Sequence, residues 1–452
     1  MELAVYTARV SLLFAICAAL SPATARAEKV LVKEGDWVVY TDGRVGAFAS
    51  LAHGEGRPID TYAPDGTLLR DVKGGGFDPA ATAREPLVGG APGQLTQGTI
   101  DDMRIRSGFV ANTLGVGVRG PMDSSVITGY IQIWALAETD GRTKNRPNIV
   151  EARQAFVKVE GGWGSFLAGR SRALFSRGAT DIDAMYAHRW GVGAPGSIDL
   201  NGPTAGHIGY GVLGSGFAPG LVYATPMLSG LQLTVGAYDP IQISAGAWTR
   251  TKWARPESEL TFERPLGQLG KFVLFANGAY QKVYHDGKPD SDSATAAGFG
   301  YGGRLEVGPA RLGVAGHYGK GLGLSYALES SEANTDPENR IRTFDGYYVQ
   351  TQVVLGRWDF STGWGISRVY RNAIDSETVP NPGVLDPNTT DPTMRHVPHS
   401  IIKYQMGNSL GAVFHLKPWF HIDLDFFRAH FAWYEGEKQT VYFANTGVTM
   451  NW

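Results

Sequence analysis

Few residues in this sequence have the types and spacing that catalysis or metal binding requires. The chain contains no Gly-x-Ser-x-Gly nucleophile elbow, no His-Glu-x-x-His zinc motif and no dinucleotide-binding glycine fingerprint between a strand and a helix. Asp423 and Asp425 are close enough to suggest a metal site, but both would point to one water-facing side of a strand. We therefore expect no enzymatic activity, no metal site and no cofactor.

Glycine pairs and acidic loops also have plain structural interpretations. Gly298-x-Gly300 and Gly319-x-Gly321 lie in strand or hairpin patterns, where a missing side chain relieves packing against neighbours. Segments 286–293, 329–342 and 375–399 are rich in Asp and Pro and have the composition of extracellular loops. Their spacing matches no EF-hand, and calcium binding there stays open.

The elements that would position these residues are strands, because apolar and polar residues alternate along the chain. Every second residue from Leu231 to Tyr238 is apolar, and segments 347–355 and 420–426 alternate in the same way. A helix would place the glutamines of segment 347–355 inside its apolar stripe. The alternation shifts by one residue at Phe426-Phe427, which predicts a bulge.

Composition excludes several classes of protein. With 19% charged residues and a net charge of −2, the chain is not a polybasic nucleic-acid binder. No apolar stretch of 18 residues follows the N-terminal segment, which argues against membrane-spanning helices. The mean hydropathy of −0.15 suits a transmembrane β-barrel, in which alternate residues face a wet lumen.

The N-terminus has the features of a secretory signal peptide. Arg9 precedes an apolar run, and Ala25-Arg26-Ala27 matches the small-residue pattern that signal peptidase cleaves. We expect residues 1–27 to be removed. Cys17 is the single cysteine and could suggest a lipoprotein signal, but Ile16 stands where such a signal has a small residue. We therefore expect no lipid anchor, and Cys17 would be removed with residues 1–27.

Residues 28–452 are predicted to form one all-β domain of about sixteen strands. A β-sandwich or solenoid could show similar alternation, but these runs are long and are joined alternately by tight turns and long polar loops, as in transmembrane antiparallel barrels. Segment 206–213 is a candidate for a further short strand. The predicted strands are 43–52, 104–119, 124–138, 151–160, 164–171, 217–225, 230–238, 254–264, 270–284, 296–307, 311–319, 343–355, 357–370, 400–416, 418–434 and 439–452.

Two segments carry a specific family resemblance. The last strand alternates Tyr442, Ala444, Val448 and Met450 toward lipid and ends on Trp452, which resembles the C-terminal signature of outer-membrane barrels. The hairpin 150–170, with its Gly161-Gly162-Trp163-Gly164 turn, is similar to one in the general porins of Gram-negative outer membranes. The resemblance implies a bacterial outer-membrane homotrimer surrounded by lipid, with Trp452 recognised by the barrel assembly machinery.

The same resemblance implies that residues 171–216 fold inward as a constriction loop. In the family, loop acids face wall arginines, so Asp181 and Asp183 are expected to oppose Arg153 and Arg170 across the pore. Asp199 is a weaker candidate. The sequence departs from the family in two ways. The usual acidic loop motif around Pro-Glu-Phe is absent, and two wall positions that often carry Arg in the family are occupied here by Gly115 and Ala224. Arg172, Arg177 and Arg189 also place positive charge in the loop.

The expected function is a water-filled pore for passive diffusion of small hydrophilic solutes and ions. A substrate-selective channel is the first alternative, and an outer-membrane enzyme or adhesin on a similar barrel is the second. The Gly- and Pro-rich segment 53–103 is expected to be a latch to a neighbouring subunit, a plug or a surface loop. Single-channel conductance in salt gradients would discriminate most directly.

Overall fold

Sixteen antiparallel strands form a closed barrel in the computed structural model. The structure describes residues 28–55, 61–62, 68–70, 99–107, 112–135, 150–184, 207–244, 248–330, 334–336, 338–373, 402–434 and 438–452. The predicted signal peptide 1–27, most of segment 53–103 and the predicted loop 375–399 therefore lie outside the described residues. Within the described residues no helix is long and apolar enough to cross a membrane.

The described residues form long wall strands, one short α-helix and one 3-10 helix (Gly267–Leu269). The elements, in chain order, are β1 (Lys29–Glu34), β2 (Trp37–Glu55), β3 (Thr61–Tyr62), β4 (Leu68–Arg70), β5 (Thr99–Arg106), β6 (Asn112–Met122), β7 (Ser125–Ala135), β8 (Val150–Gly161), β9 (Gly164–Arg172), α1 (Arg177–Ile182), β10 (Phe217–Ala224), β11 (Leu231–Tyr238), β12 (Trp248–Thr251), β13 (Arg255–Pro265), β14 (Gly270–His285), β15 (Ser293–Val307), β16 (Ala310–Lys320), β17 (Thr343–Leu355), β18 (Trp358–Tyr370), β19 (Ile402–Lys417), β20 (Phe420–Trp433) and β21 (Lys438–Asn451).

Two of the sixteen wall strands are interrupted. Strands β5 and β6 both pair with β2 and together make one wall strand, and β12 and β13 do the same against β14. Strand β1 is extra, since it pairs with the beginning of β2 beyond the end of β21. Strands β3 and β4 form a separate two-stranded sheet. The sequence-based prediction of sixteen strands is therefore confirmed, with most boundaries within a few residues.

The barrel closes where the first and last wall strands meet. Strands β2 and β21 pair in antiparallel register from Arg44↔Asn451 to Gly54↔Val441. Two backbone hydrogen bonds between Gly43 and Trp452, of 2.9 and 3.0 Å, extend this seam to the C-terminus. Closure leaves no exposed sheet edge in the wall, which is what a β-structure needs to cross lipid.

The two faces of the wall differ as the alternation predicts. On β11, Leu231, Leu233 and Val235 face outward and are 42–44% exposed, although all three are apolar. Together with similar residues on neighbouring strands they form an outer apolar belt that suits contact with lipid. The other positions predicted for this belt are exposed or partly exposed in the same way, namely Val349, Val353, Phe420, Ile422 and Leu424.

The bulge predicted at Phe426-Phe427 is wrong. Strand β20 stays in register with β19 through this point, and the register shifts lie instead near the strand ends, at Ile402/Tyr404 and His415/Lys417. Phe427 simply faces inward, where it is 4% exposed and its ring centroid lies 4.9 Å from that of Tyr210. The apparent slip arose because the barrel interior is locally apolar rather than wet.

Outward-facing positions should reject charge. We expect Val235→Arg to destabilise the membrane-inserted barrel by about 2–4 kcal/mol, because the guanidinium would lie in hydrocarbon. Gln232→Arg is the matched control, since Gln232 lies on the inner face of the same strand. Folding yield into lipid vesicles, measured by the electrophoretic heat shift, checks this. Equal yields for both variants would contradict the assignment of faces.

Candidate functional site

The chain between β9 and β10 folds into the barrel and lies against its inner wall. Of this inward loop the structure describes residues 173–184 and 207–216. Its two ends are joined by a backbone hydrogen bond of 2.9 Å from Ala173 to Gly216. Leu174, Phe175, Ile208 and Tyr210 are at most 1% exposed, so the loop is packed and not merely placed in the lumen.

Buried carboxylates of the wall anchor the loop. Glu259 accepts hydrogen bonds from Arg177 Nε at 2.9 Å and from the Gly178 amide at 3.0 Å. Glu257, also buried, accepts one from the Phe175 amide at 2.8 Å and is paired with Arg255. Charged acceptors make strong hydrogen bonds to amides in a dry environment, and each carboxylate here has a cationic partner. These contacts position helix α1 against β14–β16.

Wall glycines make room for the loop backbone. A Cβ at Gly365 would lie 1.9 Å from the Tyr210 carbonyl oxygen, and one at Gly363 would lie 2.5 Å from the His207 ring. In the loop itself, a Cβ at Gly178 would meet the Phe275 ring at 2.3 Å. The prediction that Gly298 relieves packing also agrees with the structure, since its Cβ would meet Leu322 and Phe175. The glycine content thus serves close contact between loop and wall.

Asp181 and Asp183 occupy different environments although only one residue lies between them. The Asp181 carboxylate is half exposed and accepts a hydrogen bond from Arg172 Nη1 at 2.7 Å. The Asp183 side chain is 0% exposed, and its carboxylate accepts hydrogen bonds from the His207 amide at 2.8 Å and from Gln350 at 3.1 Å. Asp183 therefore joins the two halves of the loop to β17 and does not face the lumen, contrary to expectation.

Arg153 and Arg170 are brought together by a carboxylate that sequence reasoning did not single out. Glu151 lies 3.1 Å from Arg153 Nη1 and 3.5 Å from Arg170 Nη2. The Arg153 guanidinium also stacks on Trp134 and Phe217, 3.6 and 4.3 Å from their ring centroids. We call Glu151, Arg153 and Arg170 the β8–β9 cluster. Because Glu151 neutralises one of the two arginines, the cluster carries one net positive charge.

A second charged group was also missed from the sequence. Arg304 on β15 donates to the Asp181 carbonyl at 3.3 Å and to the Glu306 carboxylate at 2.9 Å, and Arg311 on β16 donates to Gln352 at 2.9 Å. We call Arg172, Asp181, Arg304, Glu306 and Arg311 the loop cluster. Strand alternation alone places Arg304 and Glu306 on one face, but only the barrel register brings them to the loop.

A second loop packs on the first. The described residues of segment 321–342 pair with the inward loop through Gly214, whose amide donates to Ser325 at 2.7 Å and whose carbonyl accepts from Ala327 at 3.0 Å. Leu322, Leu324 and Leu328 join Phe175 and Tyr210 in one apolar cluster inside the barrel. Segment 329–342, which has the composition of an extracellular loop, is partly buried, because Asn334 and Asp336 are at most 4% exposed. Burial raises the pKa of Tyr210 well above its usual range, so the phenol stays neutral.

The segment 206–213, considered as a short additional strand, belongs to the inward loop. It makes only the isolated bridge Ile208↔Val212, and Gly211 has a φ of +96° that a regular strand does not allow.

Asp423, one of the two carboxylates of the possible metal site, is 1% exposed and accepts a hydrogen bond from Thr449 at 2.8 Å. No group of three or more metal-ligating side chains is found among the described residues.

Comparisons with known proteins agree with this architecture. The model of the Gram-negative porin family matches residues 88–379, more than half of the chain. No curated protein matches the sequence. The fold is similar to the outer membrane channel DcaP of Acinetobacter baumannii, with a TM-score of 0.61, 13% identity and coverage of 94% of this chain and 100% of that one.

Two further solved structures share the fold. An anion-selective porin from Comamonas acidovorans has a TM-score of 0.56 at 12% identity and covers 92% of this chain and 100% of its own. The trimer form of in-vitro folded OmpT from Vibrio cholerae has a TM-score of 0.50 at 12% identity, with coverage of 92% and 99%. At such identities the likeness establishes the fold alone.

The glycine contacts lead to a stability prediction. Gly365→Ala should destabilise the folded barrel by about 1–3 kcal/mol, because the new methyl group displaces Tyr210 and strains a packed interior. Gly278→Ala is the control, since a Cβ there meets nothing closer than 3.6 Å. Thermal unfolding followed by the electrophoretic heat shift should show a lower midpoint for Gly365→Ala only. Identical midpoints would mean that the loop does not press on this wall.

Proposed function

Because the chain belongs to the Gram-negative porin family of outer-membrane channels for passive diffusion, we propose that small hydrophilic solutes and ions pass beside the inward loop, along the loop cluster and the β8–β9 cluster. The observation that supports this most directly is the partial exposure of the Asp181, Arg304 and Arg311 side chains next to a loop that fills part of the lumen. A pore with low-dielectric walls focuses the field of such charges on passing solutes.

The charge balance of the two clusters favours anions. Together they hold five arginines and three carboxylates whose side chains are between 14% and 50% exposed, which leaves an excess of two positive charges. The buried pairs Arg177–Glu259 and Arg255–Glu257 add no net charge. Preference for anions would be modest, because carboxylates remain within reach of the same solutes. The opposition of Asp181 to Arg153 and Arg170 across one pore stays a prediction.

Selectivity for particular solutes is a second candidate function. It is supported by segment 321–342, which packs on the inward loop and fills more of the barrel interior than the inward loop does alone. At the short-turn end an open pocket of about 740 Å³ lies beside Lys158, Glu160 and Gln232. Liposome swelling with neutral sugars of increasing size separates the candidates: a gradual fall with size supports diffusion, and uptake of one class only supports selectivity.

Other expectations from the family enter as proposals. The chain is proposed to be a homotrimer that catalyses no reaction and to be matured by removal of residues 1–27. Trp452 is proposed to be read by the barrel assembly machinery. Its position supports this role, since its ring covers Gly43 and its backbone completes the β2–β21 seam. A missing or altered C-terminal aromatic residue would then reduce assembly in cells more than refolding in detergent.

Selectivity should respond to the two signs of charge in opposite directions. Arg304→Gln/Arg311→Gln should shift the reversal potential in a KCl gradient toward cations, and Asp181→Asn should shift it toward anions, because each change alters the field along the path. Asp183→Asn is the control, since its buried side chain should affect stability but not selectivity. Planar-bilayer recordings check this. Equal potentials for all variants would remove these side chains from the solute path.

Assembly should follow the family pattern. The purified protein should migrate as a heat-labile oligomer of about three chains, because apolar barrel walls can associate within the membrane. Multi-angle light scattering in detergent, corrected for bound detergent, measures the number of chains directly. A monomer would contradict the trimer while leaving the channel function intact.

A further inference from the structure

Polar side chains form a row across the inner face of β2, β6, β7 and β8. In the strand pairing, Asp42 lies beside Gly115, Gly115 beside Gln132, and Gln132 beside Gln154. Ile131, next to Gln132 in β7, is 58% exposed on the outside of the wall, and side chains alternate along a strand. The row therefore faces the lumen, where Asp42, Gln132 and Gln154 are half-buried.

Hydrogen bonds join these side chains to one another and to Tyr130. The Tyr130 hydroxyl donates to the Asp42 carboxylate at 2.8 Å and accepts from Gln132 Nε2 at 3.1 Å. Gln154 Nε2 donates to Gln132 Oε1 at 3.0 Å. We call Asp42, Tyr130, Gln132 and Gln154 the amide row. Each amide nitrogen carries two hydrogens and the bonds of the row use one of each, so the row offers further donors beside its carbonyl and carboxylate acceptors.

Packed aromatic rings hold the amide row in place. A Cβ at Gly115 would lie 2.3 Å from the Tyr130 hydroxyl oxygen, so glycine lets the phenol lie against this part of the wall. The Tyr130 residue is 9% exposed, and its ring centroid lies 6.3 Å from that of Tyr40 and 5.4 Å from that of Phe156. The polar groups of the row are therefore presented to the lumen on a rigid support.

The amide row lies across the lumen from the loop cluster. Among the sixteen wall strands, β7 and β8 are the third and fourth, and β15 and β16, which carry Arg304 and Arg311, are the tenth and eleventh. Helix α1 of the inward loop also packs on β14–β16. The loop cluster holds three arginines and two carboxylates, whereas Asp42 is the one charged member of the amide row. The two sides of the lumen thus differ in the sign of their net charge.

Hydroxyl groups are the solute groups that fit the amide row. A hydroxyl can accept a hydrogen bond from an amide N–H and donate one to a carbonyl or carboxylate oxygen, so it can use both kinds of group in the row. An anion would use only the donors and would be repelled by Asp42. A cation would use only the acceptors. Hydrogen bonds to the row replace those that a neutral solute loses when it sheds water in a narrow pore.

We propose that the amide row guides uncharged solutes with several hydroxyl groups, such as sugars and polyols, past the inward loop. This inference rests on the proposed function as a diffusion pore and assigns neutral solutes to the wall opposite the loop cluster. Lys158 and Glu160 follow Gln154 on the same face of β8 and line the open pocket at the short-turn end. The row therefore lies on a continuous polar path along this wall toward that pocket.

Swelling of proteoliposomes in xylitol and in triethylene glycol tests this, because the two neutral solutes have nearly equal mass and xylitol has more hydroxyl groups. Gln132→Leu/Gln154→Leu should lower the ratio of the xylitol rate to the triethylene glycol rate by about threefold to tenfold, since loss of one net hydrogen bond changes an equilibrium by about this factor. Gln268→Leu is the control, because Gln268 is exposed in the 3-10 helix outside the lumen.

A milder variant keeps the test decisive if Gln132→Leu/Gln154→Leu fails to fold. Tyr130→Phe retains the ring and removes only the hydroxyl that joins Asp42 to Gln132, so the ratio should fall by about twofold. Its control is Tyr301→Phe, which removes a hydroxyl from the outer face of β15, where Tyr301 is 54% exposed. All four variants should keep the reversal potential of the unmodified protein in a KCl gradient, because none changes a charge.

The outcomes separate this inference from the proposed function. A lower ratio in the two amide-row variants only, at an unchanged reversal potential, would support the inference. Unchanged ratios in these variants, or an equal fall in the controls, would overturn it while the channel itself remained. Absence of swelling and of conductance in the unmodified protein would instead overturn the proposed function, and this inference with it.

Discussion

The structure depends first on hydrogen-bond closure of the backbone. Hydrocarbon offers no partner to an unpaired amide or carbonyl, so a sheet can cross the membrane only as a closed barrel. Here closure is completed by the pairing of β2 with β21 and by the two bonds between Gly43 and Trp452. The alternation of apolar and polar residues then follows, because each wall strand has one face toward lipid and one toward the lumen.

Closure creates a second problem, since sixteen strands enclose more space than wall side chains can fill. The chain fills part of it with the inward loop and with segment 321–342, which share an apolar cluster against the wall. Buried carboxylates such as Glu259 and Asp183 hold this layer, and glycines such as Gly365 let it approach the strands. The exposed charges of the loop cluster are therefore held in position by a packed layer of loop and wall residues.

Local patterns in the sequence were sufficient for the strands and for the short and long connections. The inward course of the chain after β9 was expected only from the family resemblance. They were insufficient for the roles of individual charges. Asp181 and Asp183 look equivalent in the sequence, yet only the packing of His207 and Gln350 buries the second. Arg304 was missed because its partner Asp181 lies more than a hundred positions away in the sequence. Glu151 was missed because its pairing with Arg153 depends on a bulge in β8 that turns Arg153 toward Trp134. The bulge at Phe426-Phe427 was wrongly predicted because Phe427 was expected to face lipid. It faces the interior, where the packed inward loop accommodates an aromatic side chain.

The reversal potential of the unmodified protein in a tenfold KCl gradient tests the central claim most directly. It requires an open lumen, and its sign reports the balance of charges that the inward loop and wall present to ions. The proposed path carries five arginines and three carboxylates in the two clusters, so the potential should lie on the anion side of zero. A potential on the cation side, or no measurable conductance, would contradict the account of a solute path along these clusters.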